Sequence, residues 1–372
     1  MNKIKKVVST VWYDKENYHE LRNLFPDSEF VYVDFYDKER VEKELEDADV
    51  AIILGDVDNC MLHSPTLKWI ACDHAGLNGS ARDEVFATDL IVTGAAGRSA
   101  PVLAEHCIYF MLQSCYHTKE LLAAQEKGQW GVEGSNSWKG LYGRKVGIIG
   151  MGNNGKMVAD RLHAFDMDIY AYDKYPINGY DFLKKKYVGN EGDSIDEILE
   201  ICDFIILTLI LNDETYHMFS TEEFKKMKSD SFIINMARGG IVDTEALTKA
   251  ITDGEISGAG LDVLEEEPLP CDHPLWRMEN VYITPHSTPQ VPNRARRSIE
   301  IIRENIKRFQ AGEPMLNQLK ESDKFSAVPV TSGFAKLTNS NLSKEEIEKI
   351  PLEKFLGKKG WSDPSEWNYI DR

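Results

Sequence analysis

No stretch of the chain approaches the roughly 20 consecutive apolar residues that a membrane-spanning helix needs, so the sequence predicts no membrane segment. Cations are in deficit: 43 Lys and Arg face 61 Asp and Glu, for a formal net charge of -18. A long-range negative field repels phosphate, which argues against nucleic acid or an acidic membrane surface as a general partner. A small anionic substrate sees only a local pocket and is not excluded. Cysteine is sparse. Cys60, Cys72, Cys107, Cys115, Cys202 and Cys271 form no C-x-x-C pair and no metal-ligand spacing, and most sit in apolar surroundings. They predict buried thiols in a reducing cytoplasm, with no disulfide framework and no metal site. No sequence repeat is visible. The N-terminal MNKIKKVVSTVWYD is basic, but its apolar run is short and no small-residue cleavage site follows; it predicts a first strand and not a signal peptide.

What is present is length and patterning. The 372 residues, 42% hydrophobic and 28% charged, suffice for one large or two ordinary globular domains. Short apolar runs alternate with helical stretches up to about residue 93. The predicted strands are Lys6–Trp12, Glu29–Asp34, Val50–Leu54, Trp69–Asp73 and Leu90–Thr93, with Lys38–Ala48 a charged helix former between them. Such alternation implies a parallel α/β sheet. A long helix over Ala100–Lys127 is predicted to lead into a second series. Its strands are Lys145–Ile149, Asp168–Tyr172, Phe204–Leu209, Ser231–Asn235, Gly258–Val263 and Val281–Ile283. Helices are predicted at Gly155–Ala164, Ile195–Ile201, Thr221–Met227 and Thr244–Thr252. Most of these strands are rich in Ile, Val and Leu on both faces, as central parallel strands should be, which reads as a six-stranded doubly wound domain. A last helix, Asn293–Ala311, is expected to cross back onto the first domain. The resulting division is 1–99 with 290–319, then 100–289, then a polar extension 320–372 whose Trp361 and Trp367 suggest partial order.

The segment KVGIIGMGNNGKMVADRLHAFDMDIYAYDKYP, from Lys145, spaces Gly150, Gly152 and Gly155 between an apolar strand and an amphipathic helix. The acid Asp173 closes the next strand, 18 residues beyond Gly155. In a dinucleotide site the first glycine makes the tight turn, the second admits the pyrophosphate, and the third lets helix pack on strand. The helix N-terminus offers N–H donors and partial positive charge. Asp173 would accept ribose hydroxyls and repel a 2′-phosphate, favouring NAD over NADP, although Lys174 beside it could temper that choice.

Three further stretches fall at strand carboxyl ends, where a doubly wound sheet keeps its crevice: FIINMARGGIVDTEAL, ISGAGLDVLEEEPLP and VYITPHSTPQVP. They present Arg238, Glu267 and His286. Reduction of a 2-keto acid needs a cation for the carboxylate and carbonyl, and a group that protonates the new alkoxide. Arginine suits the first task and histidine the second, with a carboxylate to orient the imidazole.

Taken in order with TGAAGRSAPVLAEHCIYFML and VGIIGMGNNGKMV, these stretches resemble the D-isomer-specific 2-hydroxyacid dehydrogenases over about Val50 to Leu319. The resemblance implies a Rossmann NAD-binding domain and a flavodoxin-like substrate domain. It implies Arg238, Glu267 and His286 as the catalytic set and NAD as cofactor. It places Gly150, Gly152, Asn153, Asn154, Gly155, Asp173, Thr208, Leu209, Ala237 and Asp262 around that cofactor, Asp262 at the nicotinamide carboxamide. Substrate carboxylate would meet Ala75, Gly76 and Leu77 of HAGLNG, together with Arg238. Members of this family commonly dimerise, and Glu126–Arg144 reads as a partner-wrapping arm. The chain departs from the family at Ile210, where a Pro is frequent, at Asn78, where an Asp is usual, and at His74. Glu267 argues against a formate dehydrogenase, which generally carries Gln there. A phosphite dehydrogenase and an NAD-sensing corepressor-like protein share the trio and stay open.

Overall fold

The computed structural model describes residues 3–326 and builds two parallel sheets. The first comprises β1 (Lys6–Ser9), β2 (Glu29–Tyr32), β3 (Val50–Ile53), β4 (Trp69–Cys72) and β5 (Ile91–Gly94), in the order β2-β1-β3-β4-β5. This is the flavodoxin-like order. The second comprises β6 (Lys145–Ile149), β7 (Asp168–Asp173), β8 (Lys185–Val188), β9 (Phe204–Leu207), β10 (Phe232–Asn235), β11 (Gly258–Leu261) and β12 (Val281–Ile283). Its order, β12-β11-β10-β9-β6-β7-β8, is the Rossmann arrangement with one strand added beyond its sixth.

Alternate residues of the central strands feed opposite faces, as the two-residue period of a strand requires. In β9, Ile205 and Leu207 enter one core, whereas Phe204 and Ile206 enter the other. In β3, Val50 and Ile52 face one way and Ala51 and Ile53 the other. All eight are buried, which explains why these strands read as continuous apolar runs.

Two expected elements differ. The second sheet has a seventh strand, β8, within the sequence FLKKKYV. Only Tyr187 and Val188 of that strand are buried, and its lysines occupy a sheet edge, where charge protects against further pairing. A short lysine-rich strand gives no apolar alternation to read. The long helix is two, Ala100–Cys115 and Thr118–Glu126, because His117 between them is left-handed at φ 44°. Its ring stacks on Trp138, 4.5 Å between centroids.

The helix Arg294–Ala311 lays Ile299, Ile302, Ile306 and Phe309 on the first sheet, where Phe309 meets the fully buried Trp69 at 5.7 Å. Spacings of three and four keep those side chains on one face. At the crossing between the sheets, buried Arg98 pairs with buried Asp73 and donates to Ser298 Oγ at 3.1 Å. Arg297 donates to the carbonyls of Arg98 (2.7 Å) and Gly97 (3.2 Å), so both crossing segments are bonded together. Residues 320–326 run over to the second sheet: Asn212 Nδ2 donates to Ser322 O at 3.1 Å and Asp213 N to Lys324 O at 3.1 Å. Trp361 and Trp367 lie outside the described residues. Among the described residues no helix is long and apolar enough to cross a membrane.

Candidate active site

The glycine loop follows β6. Gly150 has φ 102°, a left-handed conformation that L side chains rarely adopt, and a Cβ there would lie 3.0 Å from the Thr208 and Leu209 backbone. At Gly155 a Cβ would overlap the Gly150 carbonyl oxygen, so the helix Asn153–Ala164 can sit this close to the strand only with glycine there. Around Gly152 nothing lies within 4 Å of the Cβ position, leaving open space beside the helix N-terminus. Thr208 Oγ1 donates to Gly150 O at 2.6 Å and steadies the turn from the neighbouring strand end. Asp173, closing β7, accepts from Met151 N (2.7 Å) and Tyr175 N (2.9 Å), so its carboxylate holds the loop's own backbone. Asn153 and Asn154 open the helix, and the Asn153 side chain lies against Gly97 at the crossing. Leu209 is half-buried and Ala237 buried at two adjacent strand ends. Lys174 is engaged by Glu214. Gly150 in its turn, open space at Gly152 and donors at a helix start fit a dinucleotide pyrophosphate.

Arg238 and Glu267 come from the segments after β10 and β11, and His286 from the one after β12. Asn235 shapes the first, accepting from Ala237 N at 3.1 Å and donating to Arg238 O at 3.0 Å. Arg238 Nη1 donates to Ala237 O at 2.6 Å, and a Cβ at Gly76 would overlap Nη2. The substrate-side loop therefore lies directly against the guanidinium. Burial pushes the Arg238 guanidinium below the ordinary arginine range, while the charges of Glu267 and Asp56 oppose that fall. His286 Nδ1 lies 2.9 Å from Glu267 Oε2, and Glu267 Oε1 accepts from Leu264 N at 3.1 Å. Burial raises the Glu267 carboxyl, but His286, the Leu264 N–H and Arg238 together hold it below its usual value. The two acids before it are separated from the site: Glu265 pairs with His217 and accepts from Thr244 N at 2.9 Å, and Glu266 is exposed.

Asp262 is buried under His286. It accepts from Thr284 Oγ1 (2.6 Å), Ser287 N (3.0 Å) and Thr288 Oγ1 (3.1 Å), while its backbone carbonyl accepts from His286 N at 2.9 Å. His286 itself is held at φ 50°. The ring nitrogens of His106 lie 3.0 Å from Thr288 Oγ1 and 3.1 Å from Thr284 Oγ1. Burial pushes His106 down against the pull of Asp262. This supporting layer was not singled out from the sequence. Its only signal was hydroxyl residues two before and two after His286, with AEH in the crossing helix. Among the described residues the N–H groups of Ala75, Gly76 and Leu77 have no acceptor, and no group of three or more His, Cys, Asp or Glu could hold a metal.

Comparison with known proteins agrees with this class of fold. Residues 108–288 match the D-isomer specific 2-hydroxyacid dehydrogenase, NAD binding domain. A glyoxylate reductase of Korarchaeum cryptofilum is 33% identical over 275 residues, covering 72% of this chain and 80% of its own. A D-3-phosphoglycerate dehydrogenase of Methanocaldococcus jannaschii is 32% identical, over 74% of this chain and 52% of its own. Among solved structures, a D-isomer specific 2-hydroxyacid dehydrogenase from Xanthobacter autotrophicus, in complex with NADPH and MES, superposes with a TM-score of 0.71 at 26% identity, over 86% of this chain and 99% of that one. Two doubly wound parallel sheets with a glycine loop define a dinucleotide-binding α/β protein, and its relatives make it an NAD-dependent 2-hydroxyacid dehydrogenase. The chain belongs to the D-isomer-specific 2-hydroxyacid dehydrogenase family.

Proposed function

We propose that the chain reduces a short 2-keto acid of the glyoxylate kind to its 2-hydroxy acid, the D isomer where C2 becomes stereogenic, with NADH, and runs the reverse oxidation. The observation that carries this reading is one juxtaposition. Arg238 lies against Gly76 of the loop Ala75–Leu77, within electrostatic reach of Glu267, which pairs with His286. The loop N–H groups and the Arg238 fork would bind the substrate carboxylate, with Arg238 also polarising the carbonyl. Because Nδ1 of His286 faces Glu267, Nε2 is left to give its proton to the carbonyl oxygen, and to take one back in oxidation. Glu267, ionised, orients the ring and stabilises the imidazolium that precedes transfer. NADH held along the glycine loop would supply the hydride to C2. Gly150, Gly152, Gly155, Asn153, Asn154, Thr208, Leu209, Ala237 and Asp262 would line that cofactor, with Asp173 at the ribose. The engagement of Lys174 by Glu214 supports NAD over NADP.

The same reading assigns residues 1–99 and 290–319 to a substrate body and 100–289 to a cofactor body. It makes the active form a homodimer in the cytoplasm. The exposed Tyr116, Leu121, Leu122, Trp130 and Tyr142, around the arm Glu126–Arg144, would cover each other between two copies. A panel of 2-keto acids of rising size, followed by loss of NADH absorbance, tests the activity. Turnover of glyoxylate or hydroxypyruvate is expected, and binding of NADH without turnover of any member would overturn the reading.

A further inference from the structure

Asn78 stands on the substrate-side loop beyond β4, yet both its polar partners belong to the other sheet. Its Nδ2 donates to Leu211 O at 2.6 Å, and its Oδ1 accepts from Arg238 Nε at 3.3 Å. Leu211, just past β9, is buried. A single amide therefore bridges the strand end that borders the cofactor crevice and the guanidinium that faces the substrate loop.

The bond to Ala237 O fixes only one corner of the Arg238 fork, and on that bond alone the plane could swing. The second bond, at Nε, sets the plane, with Nη2 beside Gly76 of the substrate loop. Asn78 can do this because its own amide is held by the Leu211 carbonyl, an acceptor that needs a donor opposite it. A carboxylate in the same place would still accept from Arg238. It would also set oxygen against oxygen at Leu211, losing the bond that holds the amide in place.

The geometry points to Asn78 as a positioning residue: it locks Arg238 into its substrate-binding plane only when the two sheets close on each other. Asn78 travels with the first sheet, whereas Arg238 and Leu211 travel with the second. The orientation of the guanidinium thus depends on closure, and substrate affinity is tied to it. This rests on the assignment of Arg238 to the substrate carboxylate.

The test uses the whole chain and oxamate, an unreactive mimic of a short 2-keto acid, titrated into the protein–NADH complex and read by NADH fluorescence. Asn78→Asp, nearly isosteric, and Asn78→Ala should each weaken oxamate binding by about tenfold or more. NADH affinity should stay within about twofold and the melting temperature near that of the wild type. The KM for glyoxylate should rise more than kcat falls in both variants. Wild-type oxamate affinity in either folded variant, or parallel losses of oxamate and NADH affinity, would overturn the proposal while leaving the activity standing. A wild-type chain that neither turns over a keto acid nor binds oxamate would overturn the functional reading and this one with it.

Discussion

Glu267 and His286 lie 2.9 Å apart, and what that contact does for the proton can be measured. Reduction needs the protonated ring, and oxidation the neutral one. In Glu267→Gln the ring loses the carboxylate that orients it, so kcat should fall in both directions, by less than the ~10²–10⁴ expected of His286→Ala. Steady-state kcat in both directions checks this, and a Gln variant with wild-type kcat would remove Glu267 from its role. Stability carries a second signature. Because folding holds the Glu267 carboxyl below its ordinary value of 4.5, its ionised form stabilises the fold fully above that pH. The contribution is lost as pH falls through the lower, folded value, so urea unfolding of wild type and Gln variant should converge there. At the cofactor's other end, Asp173→Ser should relax the preference for NADH toward NADPH, read as the ratio of the two kcat/KM values. A wild type that already prefers NADPH would shift the choice to Lys174.

Elements are held by contacts that leave little room for change. The helix Asn153–Ala164 approaches β6 so closely that a Cβ at Gly155 would meet the Gly150 carbonyl. Gly155→Val should therefore lift the helix start and abolish NADH binding in a fluorescence titration, while an Ala on the exposed side of Gly152 should disturb the backbone far less. The Arg98–Asp73 pair, with side chains 4% and 8% exposed, joins the crossing segment to the end of β4. Removing one partner leaves the other charge buried, so Arg98→Ala should destabilise the chain by about 3–5 kcal/mol in urea unfolding. Most of these elements could be read from sequence because central parallel strands are apolar on both faces. The exceptions include the helix Lys15–Asn23, with Leu21 its one buried side chain, the edge strand β8, with its lysines, and the break at His117, which depends on a local φ that composition does not encode.

For the whole molecule, exposed Leu122 lies on the helix that leads into the arm Glu126–Arg144, and Trp130, fully exposed, lies on the arm itself. A homodimer should appear by sedimentation equilibrium at micromolar protein, and Leu122→Glu with Trp130→Glu together should yield monomers. A monomeric wild type would remove the arm's proposed role. Contact between the two sheets is the other whole-molecule feature. Residues 320–326, bonded to Asn212 and Asp213, and Asn78, bonded to Leu211, join the two sheets at neighbouring points.

The sequence alone determined the α/β class and the glycine loop, each a local pattern of apolar period or glycine spacing. It offered Arg238, Glu267 and His286 as apt residues at strand ends, which the family resemblance drew together as candidates. Glu265 and Glu266 stand in one acidic run with Glu267, and only the tertiary structure separates them, by turning Glu265 to His217 and leaving Glu266 exposed. The layer beneath Asp262 was likewise decided in three dimensions, since His106 and Thr284 are far apart in the chain and meet through the packing of a crossing helix on the second sheet. Asn78 was visible in sequence only as an unusual residue. Its two bonds exist because two sheets, each folded from its own segment, present a loop and a strand end to each other. Contacts of that kind depend on distances between bodies, and no local run of residues specifies them.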